Sequence, residues 1–139
     1  AARRDRPGIY DDYFIADFTN LDQETAKKIA SYDLNCLTTV AALGFGDIPP
    51  KAFVEAFNLI RPQGWLAFNI KDTFLNRADK TGFSRMIREL IFSEFIDLYI
   101  LERYPHRLSA EGKPLYYFAI VAGKNADIPH DFLKKLNID

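Results

Sequence analysis

The densest group of side chains able to do acid–base chemistry is Arg103-Tyr104-Pro105-His106-Arg107. A histidine beside a tyrosine can serve as general base toward a hydroxyl or amine, and Arg107 can hold an anionic group. The competing reading is a solvated histidine in a loop at a sheet edge. Asp17 closes the run Tyr13-Phe14-Ile15-Ala16. At a strand end a carboxylate either accepts from a ligand or caps the following turn. Leu37, Thr38 and Thr39 end another apolar, β-branched run, and open parallel sheets bind ligands outside the carboxyl ends of their strands. A threonine pair there serves equally for packing and a local hydrogen bond. Gly44-Phe45-Gly46 has the spacing that opens a dinucleotide fingerprint, but the third position falls on Pro49. It reads as a loop near the mouth of a site rather than a phosphate cradle.

Other reactive residues are scarce. Cys36 is the single cysteine, so neither an internal disulfide nor a cysteine-based zinc cluster can form; it reads as a small buried hydrophobe. His106 and His130 lack metal-ligand spacing, and no metal site is expected. Trp65, Phe68 and Tyr117 read as core.

The elements that must position these groups follow from periodicity and punctuation. Tyr13–Phe18 reads as a buried strand and Asp22–Ser31 as a helix with Asn20 or Asp22 as N-cap. Tyr32–Val40 reads as a second strand. Pro50 suits the first turn of a helix carrying Phe53, Val54, Phe57 and Ile60 on one face. Arg61-Pro62-Gln63-Gly64 stops that helix, and Trp65–Ile70 follows as a third strand. Phe83–Phe92 is a helix, Phe95–Arg103 and Leu115–Ala122 are a hairpin around Leu108–Pro114, and Asp127–Leu136 is a short terminal helix. Alternating strands and helices imply a parallel sheet with right-handed crossovers, to which the hairpin adds an antiparallel strand.

With 139 residues and 48% hydrophobic composition, the chain is long enough for one domain with a real core. The net charge of −1, with both signs interleaved, gives no electrostatic reason to expect nucleic acid. No apolar stretch has the length of a membrane span and the N-terminus lacks a signal-peptide core, so no membrane partner is expected. The cysteine usage fits a cytoplasmic setting.

Three segments, in this order, resemble the later part of class I, Rossmann-like S-adenosylmethionine-dependent methyltransferase domains. They are the Asp-ended run Phe14-Ile15-Ala16-Asp17-Phe18, the aromatic-Asp-apolar Tyr32-Asp33-Leu34, and the turn Ile60-Arg61-Pro62-Gln63-Gly64-Trp65-Leu66. Gln63 stands where the family has glycine. The hairpin Phe95–Arg103 with Leu115–Ala122 matches the family's last two strands. The resemblance implies an α/β fold spanning 1–139 as a single Rossmann-like domain, mostly parallel with a terminal antiparallel hairpin. It also implies truncation at the N-terminus: the family's first two strands and its Gly-x-Gly-x-Gly loop have no counterpart, and the chain opens on Ala1-Ala2-Arg3 without a methionine.

By the same resemblance, Asp17 and Phe18 contact the adenine amino group and ring of S-adenosylmethionine. Leu37, Thr38 and Thr39 lie where the methionine moiety and the acceptor meet. Tyr104 and His106 are the catalytic candidates on their residue types, not on the resemblance. The implied function is methyl transfer to a small-molecule acceptor, without a metal. The isolated chain is expected to bind the cofactor weakly or not at all and not to be catalytically competent. In the family the sheet runs third, second, first, fourth, fifth, seventh, sixth strand. Without the first two, the fourth becomes an exposed apolar edge, and a homodimer through that edge is expected. The alternative is a non-catalytic Rossmann-like interaction or dimerisation module, supported by the missing glycine loop. Another nucleotide-binding α/β protein is a third option, which the terminal hairpin disfavours.

Overall fold

The computed structural model describes residues 2–138. A short helix, α1 (Ala2–Asp5), precedes an extended segment, and α2 (Gln23–Ala30) leads into the first strand, β1 (Cys36–Leu43). Helix α3 (Pro50–Asn58), strand β2 (Trp65–Lys71), a 3-10 turn (Asp72–Phe74) and α4 (Phe83–Phe92) follow. The hairpin β3 (Ile96–Leu108) and β4 (Pro114–Lys124) and the short α5 (Phe132–Lys135) complete the chain. The four strands form one sheet in the order β1-β2-β4-β3. Strands β1 and β2 are parallel, whereas β2–β4 and β3–β4 are antiparallel. The sheet is therefore mixed rather than mostly parallel: β4 inserts between β2 and β3, so the hairpin makes two of the three pairings.

Most elements obey local rules. Asp22 caps α2 by accepting from the Thr25 backbone N–H at 2.8 Å. Pro50 opens α3, where its missing N–H has no use in the helix. Helix α4 starts from Gly82 at φ 92°, and a Cβ there would also lie 2.7 Å from Ile138 Cγ2, so this position needs glycine twice over.

The core lies between the sheet and helices α3 and α4. Phe53, Val54 and Phe57 from α3 and Phe83, Met86 and Leu90 from α4 cover Leu66, Phe68 and Ile70 of β2 and Ile120 of β4. Phe53 meets Phe68 and Phe83 edge-to-face, with ring centroids 5.3 and 6.4 Å apart. Lys124 is fully buried at the end of β4. Its ammonium donates to the carbonyls of Phe57 at 2.9 Å and Ile60 at 2.5 Å, pairs with Asp127, and lies over the Phe57 ring. It thereby adds a second donor to the Phe57 carbonyl, which already accepts from the Ile60 N–H at 3.3 Å, and caps the Ile60 carbonyl just past the end of α3.

The opposite face of the sheet is largely open. Trp65, expected in the core, is 46% exposed there, its ring tilted 50° against that of Tyr99 with centroids 5.0 Å apart, and Tyr99 lies over Gly123. Phe68 and Tyr117 are core residues, as expected. Cys36 is exposed instead of buried, because β1 is an edge strand.

The largest departure from expectation is Tyr13–Phe18. It is extended but pairs with no strand, and Ile15 is fully exposed. Its apolar and aromatic residues read as a strand, but β-propensity is chiefly a fit to a half-buried pleated neighbour, and no described strand lies alongside. The segment is a strap tied to α2 instead. The Asp12 carboxylate pairs with Lys28 at 2.7 Å and accepts from Tyr32 Oη at 3.1 Å, while the Lys28 ammonium lies 5.1 Å from the Phe14 ring centroid. These contacts hold the Asp12 carboxyl far below the ordinary aspartate range, the Lys28 hydrogen bond being the largest cause.

Candidate functional site

A cleft of about 390 Å³ runs along β1 between the strap and α3. Ala16, Asp17, Phe18 and Thr19 form its outer wall. Leu37, Thr38 and Thr39 form the floor, and Ala52, Phe53 and Ala56 of α3 the far wall. Leu43 and Asp47–Pro49 close the end by the Gly44-Phe45-Gly46 loop, which thus borders the cleft. The structure brings Asp17, Phe18, Leu37, Thr38 and Thr39 together in this one place. Leu37–Thr39 do not cap the strand, however. β1 begins only at Cys36 and runs on to Leu43, so these residues occupy its first half and the carboxyl rim is formed further on.

Asp17 caps the turn that follows the strap. Its Oδ1 accepts from the Thr19 backbone N–H at 2.8 Å and the Thr19 hydroxyl at 2.7 Å, closing the turn after the strap. Those hydrogen bonds, the hydroxyl's first, lower its pKa and keep it ionised. Among the described residues Oδ2 has no partner, leaving an acceptor free at the cleft wall. The start of α3 offers little to a phosphate: Pro49 and Pro50 remove two of the N–H groups that cradle anions at a helix N-terminus. A largely apolar cleft lined by two carboxylates, Asp17 and Asp47, suits a flat, amine-bearing ring better than a polyanion. Its volume lies at the small end of ligand sites.

Tyr104 and His106 do not share this cleft. They stand on the carboxyl rim in β3, which continues to Leu108 where a loop was expected after Arg103. They join a polar chain that sequence reasoning missed. The Ala41 backbone N–H donates to Asn69 Oδ1 at 2.5 Å, Asn69 Nδ2 donates to Tyr104 Oη at 2.7 Å, and Tyr104 Oη lies 2.9 Å from His106 Nδ1. The His106 ring also lies against the buried Tyr117, with centroids 4.4 Å apart. The available signal was Asn69 itself, a lone amide inside the apolar strand Trp65-Leu66-Ala67-Phe68-Asn69-Ile70, which must find partners once buried. Arg107 is exposed and has no part in this chain.

Two of the segments carrying the resemblance meet at the sheet's other end. The Arg61 guanidinium donates to Asp33 Oδ2 at 2.8 Å, the Arg61 N–H to the Leu34 carbonyl at 2.9 Å, and the Trp65 N–H to the Asn35 carbonyl at 2.8 Å. Gln63 adopts φ 65°, the left-handed conformation that explains a glycine preference there. At Gly64 the constraint is space: a Cβ would lie 2.8 Å from the Asn35 carbonyl oxygen and 2.9 Å from that of Arg61. These segments shape the turn between α3 and β2 and contribute no side chain to the cleft lining, and so speak for the fold more than for a reaction.

Fold and site thus define an α/β domain with a mixed four-stranded sheet, an apolar cleft along its edge strand and a polar chain on its carboxyl rim. No protein-family model matches the chain, and no curated protein matches it at a significant level. Among the described residues no helix is long and apolar enough to cross a membrane, and no group of three His, Cys, Asp or Glu is placed to hold a metal.

Proposed function

We propose that the chain is the later part of a Rossmann-like S-adenosylmethionine-dependent methyltransferase domain, acting on a small-molecule acceptor, with the edge cleft as the adenine side of the cofactor site. The observation that carries this reading is the strand order β1-β2-β4-β3, parallel then twice antiparallel. It is the order and direction that the resemblance implies for the family's fourth, fifth, seventh and sixth strands. The convergence of Asp17, Phe18 and Leu37–Thr39 on one cleft supports it further. In this reading Asp17 Oδ2 accepts from the adenine amino group, Phe18 and the α3 wall flank the ring, and Tyr104 and His106 face the acceptor. The cofactor, when bound, supplies an activated methyl group; the chain's part is to orient it and limit water. No glycine-rich strand-to-helix loop lies ahead of β1 among the described residues, so the grip is weak.

The test is a titration of the isotopically labelled chain with S-adenosylmethionine, followed by amide shifts. Millimolar binding with changes centred on residues 16–19 and 37–39 is expected. Absence of any change at those amides would remove the reading, and micromolar affinity would remove the claim of a weak site.

A second reading, an interaction module that pairs through β1, is favoured by one observation: among the described residues no strand of the sheet pairs with the outer side of β1, and Val40 is 69% exposed. Sedimentation at micromolar concentration should then show self-association; a monomer counts against it.

A further inference from the structure

The polar chain on the carboxyl rim has a direction, and that direction sets what His106 can offer. A backbone N–H can only donate, so the Ala41–Asn69 contact identifies the Asn69 oxygen and leaves its amide nitrogen facing Tyr104. Tyr104 Oη therefore accepts from Asn69, which leaves its own hydrogen available to His106 Nδ1, 2.9 Å away. With that hydrogen donated to it, Nδ1 is the acceptor nitrogen of a neutral imidazole and the ring hydrogen sits on Nε2. Among the described residues Nε2 has no hydrogen-bond partner. Both ends of the chain lie where a strand breaks register. β1 is irregular between Thr39 and Leu43, with Ala41 at φ 55°, and β3 is irregular between Pro105 and Arg107, with His106 the extra residue. Bulges re-aim groups, and a left-handed alanine is held only where its surroundings demand it. Here one turns the Ala41 N–H onto Asn69 and the other sets His106 at the end of the chain.

We infer that Asn69 is a positioning residue that, through Tyr104, holds His106 in the Nε2–H form, so that His106 recognises an oxygen acceptor, a carbonyl or carboxylate, on a ligand at the rim. Its neutral form thus donates through Nε2 instead of removing a proton there. The ligand half of this inference rests on the acceptor-site reading above; the tautomer does not, so the two fail separately.

Nitrogen-15 spectra of the imidazoles test it directly, because the chain has only two histidines, His106 and His130. On the alkaline side of neutrality, His106 should show an unprotonated Nδ1 and a protonated Nε2. A protonated Nδ1, or the averaged pattern of a solvated imidazole, would overturn the inference. Asn69→Asp should reverse the chain: a carboxylate accepts from both Ala41 and Tyr104, Tyr104 Oη then accepts from Nδ1–H, and Nε2 becomes the bare nitrogen. Tyr104→Phe should release His106 to an averaged pattern while amide dispersion stays folded. A folded Asn69→Asp or Tyr104→Phe variant with an unchanged His106 spectrum would contradict the role of Asn69. Should Asn69→Asp fail to fold, the wild-type and Tyr104→Phe spectra decide. For the ligand half, acetate titrated against the wild-type chain should shift the His106 Nε2 resonance, and no shift up to molar acetate would remove it.

Discussion

Residues 2–35 and residues 36–138 are held by different forces. The later region buries Phe57, Leu66, Ile70 and Phe83 completely between sheet and helices, whereas among the described residues of the earlier region Ile29 is the one buried hydrophobic side chain, outside that core cluster. That earlier region is fastened by Asp12 to Lys28 and Tyr32, by the Asp17 turn and by the Asp22 cap. The cleft lies on the seam between the two, one wall from each. Exposed ion pairs contribute little to stability, while each large core side chain contributes several kcal/mol.

The comparison can be broken most easily at its strong end. Phe57→Ala should cost about 3–5 kcal/mol in denaturant unfolding, whereas Ile15→Ala in the strap should change stability by less than about 0.5 kcal/mol. Equal losses would abolish the distinction. Lys124→Met keeps much of the packing but removes the ammonium donor from the Ile60 carbonyl and one of two donors from that of Phe57, and a loss of about 2 kcal/mol is expected; a neutral result would show that water replaces the ammonium. The turn before β2 separates conformation from space. Gly64→Ala should destabilise by about 1–3 kcal/mol against two carbonyl oxygens, while Gln63→Gly should be neutral or stabilise by up to about 1 kcal/mol. The reverse ranking would refute the two explanations offered for this turn.

The smallest effect is the pH response of the strap. The folded pKa of Asp12 is depressed, so its contribution is present above the ordinary value of about 3.9 and is lost as pH falls through the lower folded value. Lys28 is raised by the same contact, so its contribution is present below about 10.4 and is lost as pH rises through the higher folded value. Amide shifts of residues 12–19 should therefore stay constant across the range between. A midpoint at the ordinary aspartate value would show that the tether is not formed.

What was legible in the sequence divides along the same seam. Helix α4 begins and ends where Phe83–Phe92 predicts, α3 begins at Pro50, and the hairpin forms around its predicted loop, because periodicity and turn residues there agree with what the core requires. Tyr13–Phe18 was misread because its composition suits a strand and composition cannot report whether a neighbour exists. β3 runs past Arg103 to Leu108 because its pairing with β4 continues through a bulge at His106, which no local rule foretells. The cleft residues were nameable by resemblance to a family. The chain through Asn69 was not, because it depends on a side chain of β2 reaching across to Tyr104 of β3, a juxtaposition fixed only by strand order.

Covalent capture asks whether the cleft is an adenine subsite, even for a weak ligand. Irradiation with an azido-adenine analogue of S-adenosylmethionine, followed by peptide mapping, should label residues 16–19 and 37–39, with labelling suppressed by excess S-adenosylmethionine. Labelling confined to other surfaces, or unaffected by the competitor, would contradict it.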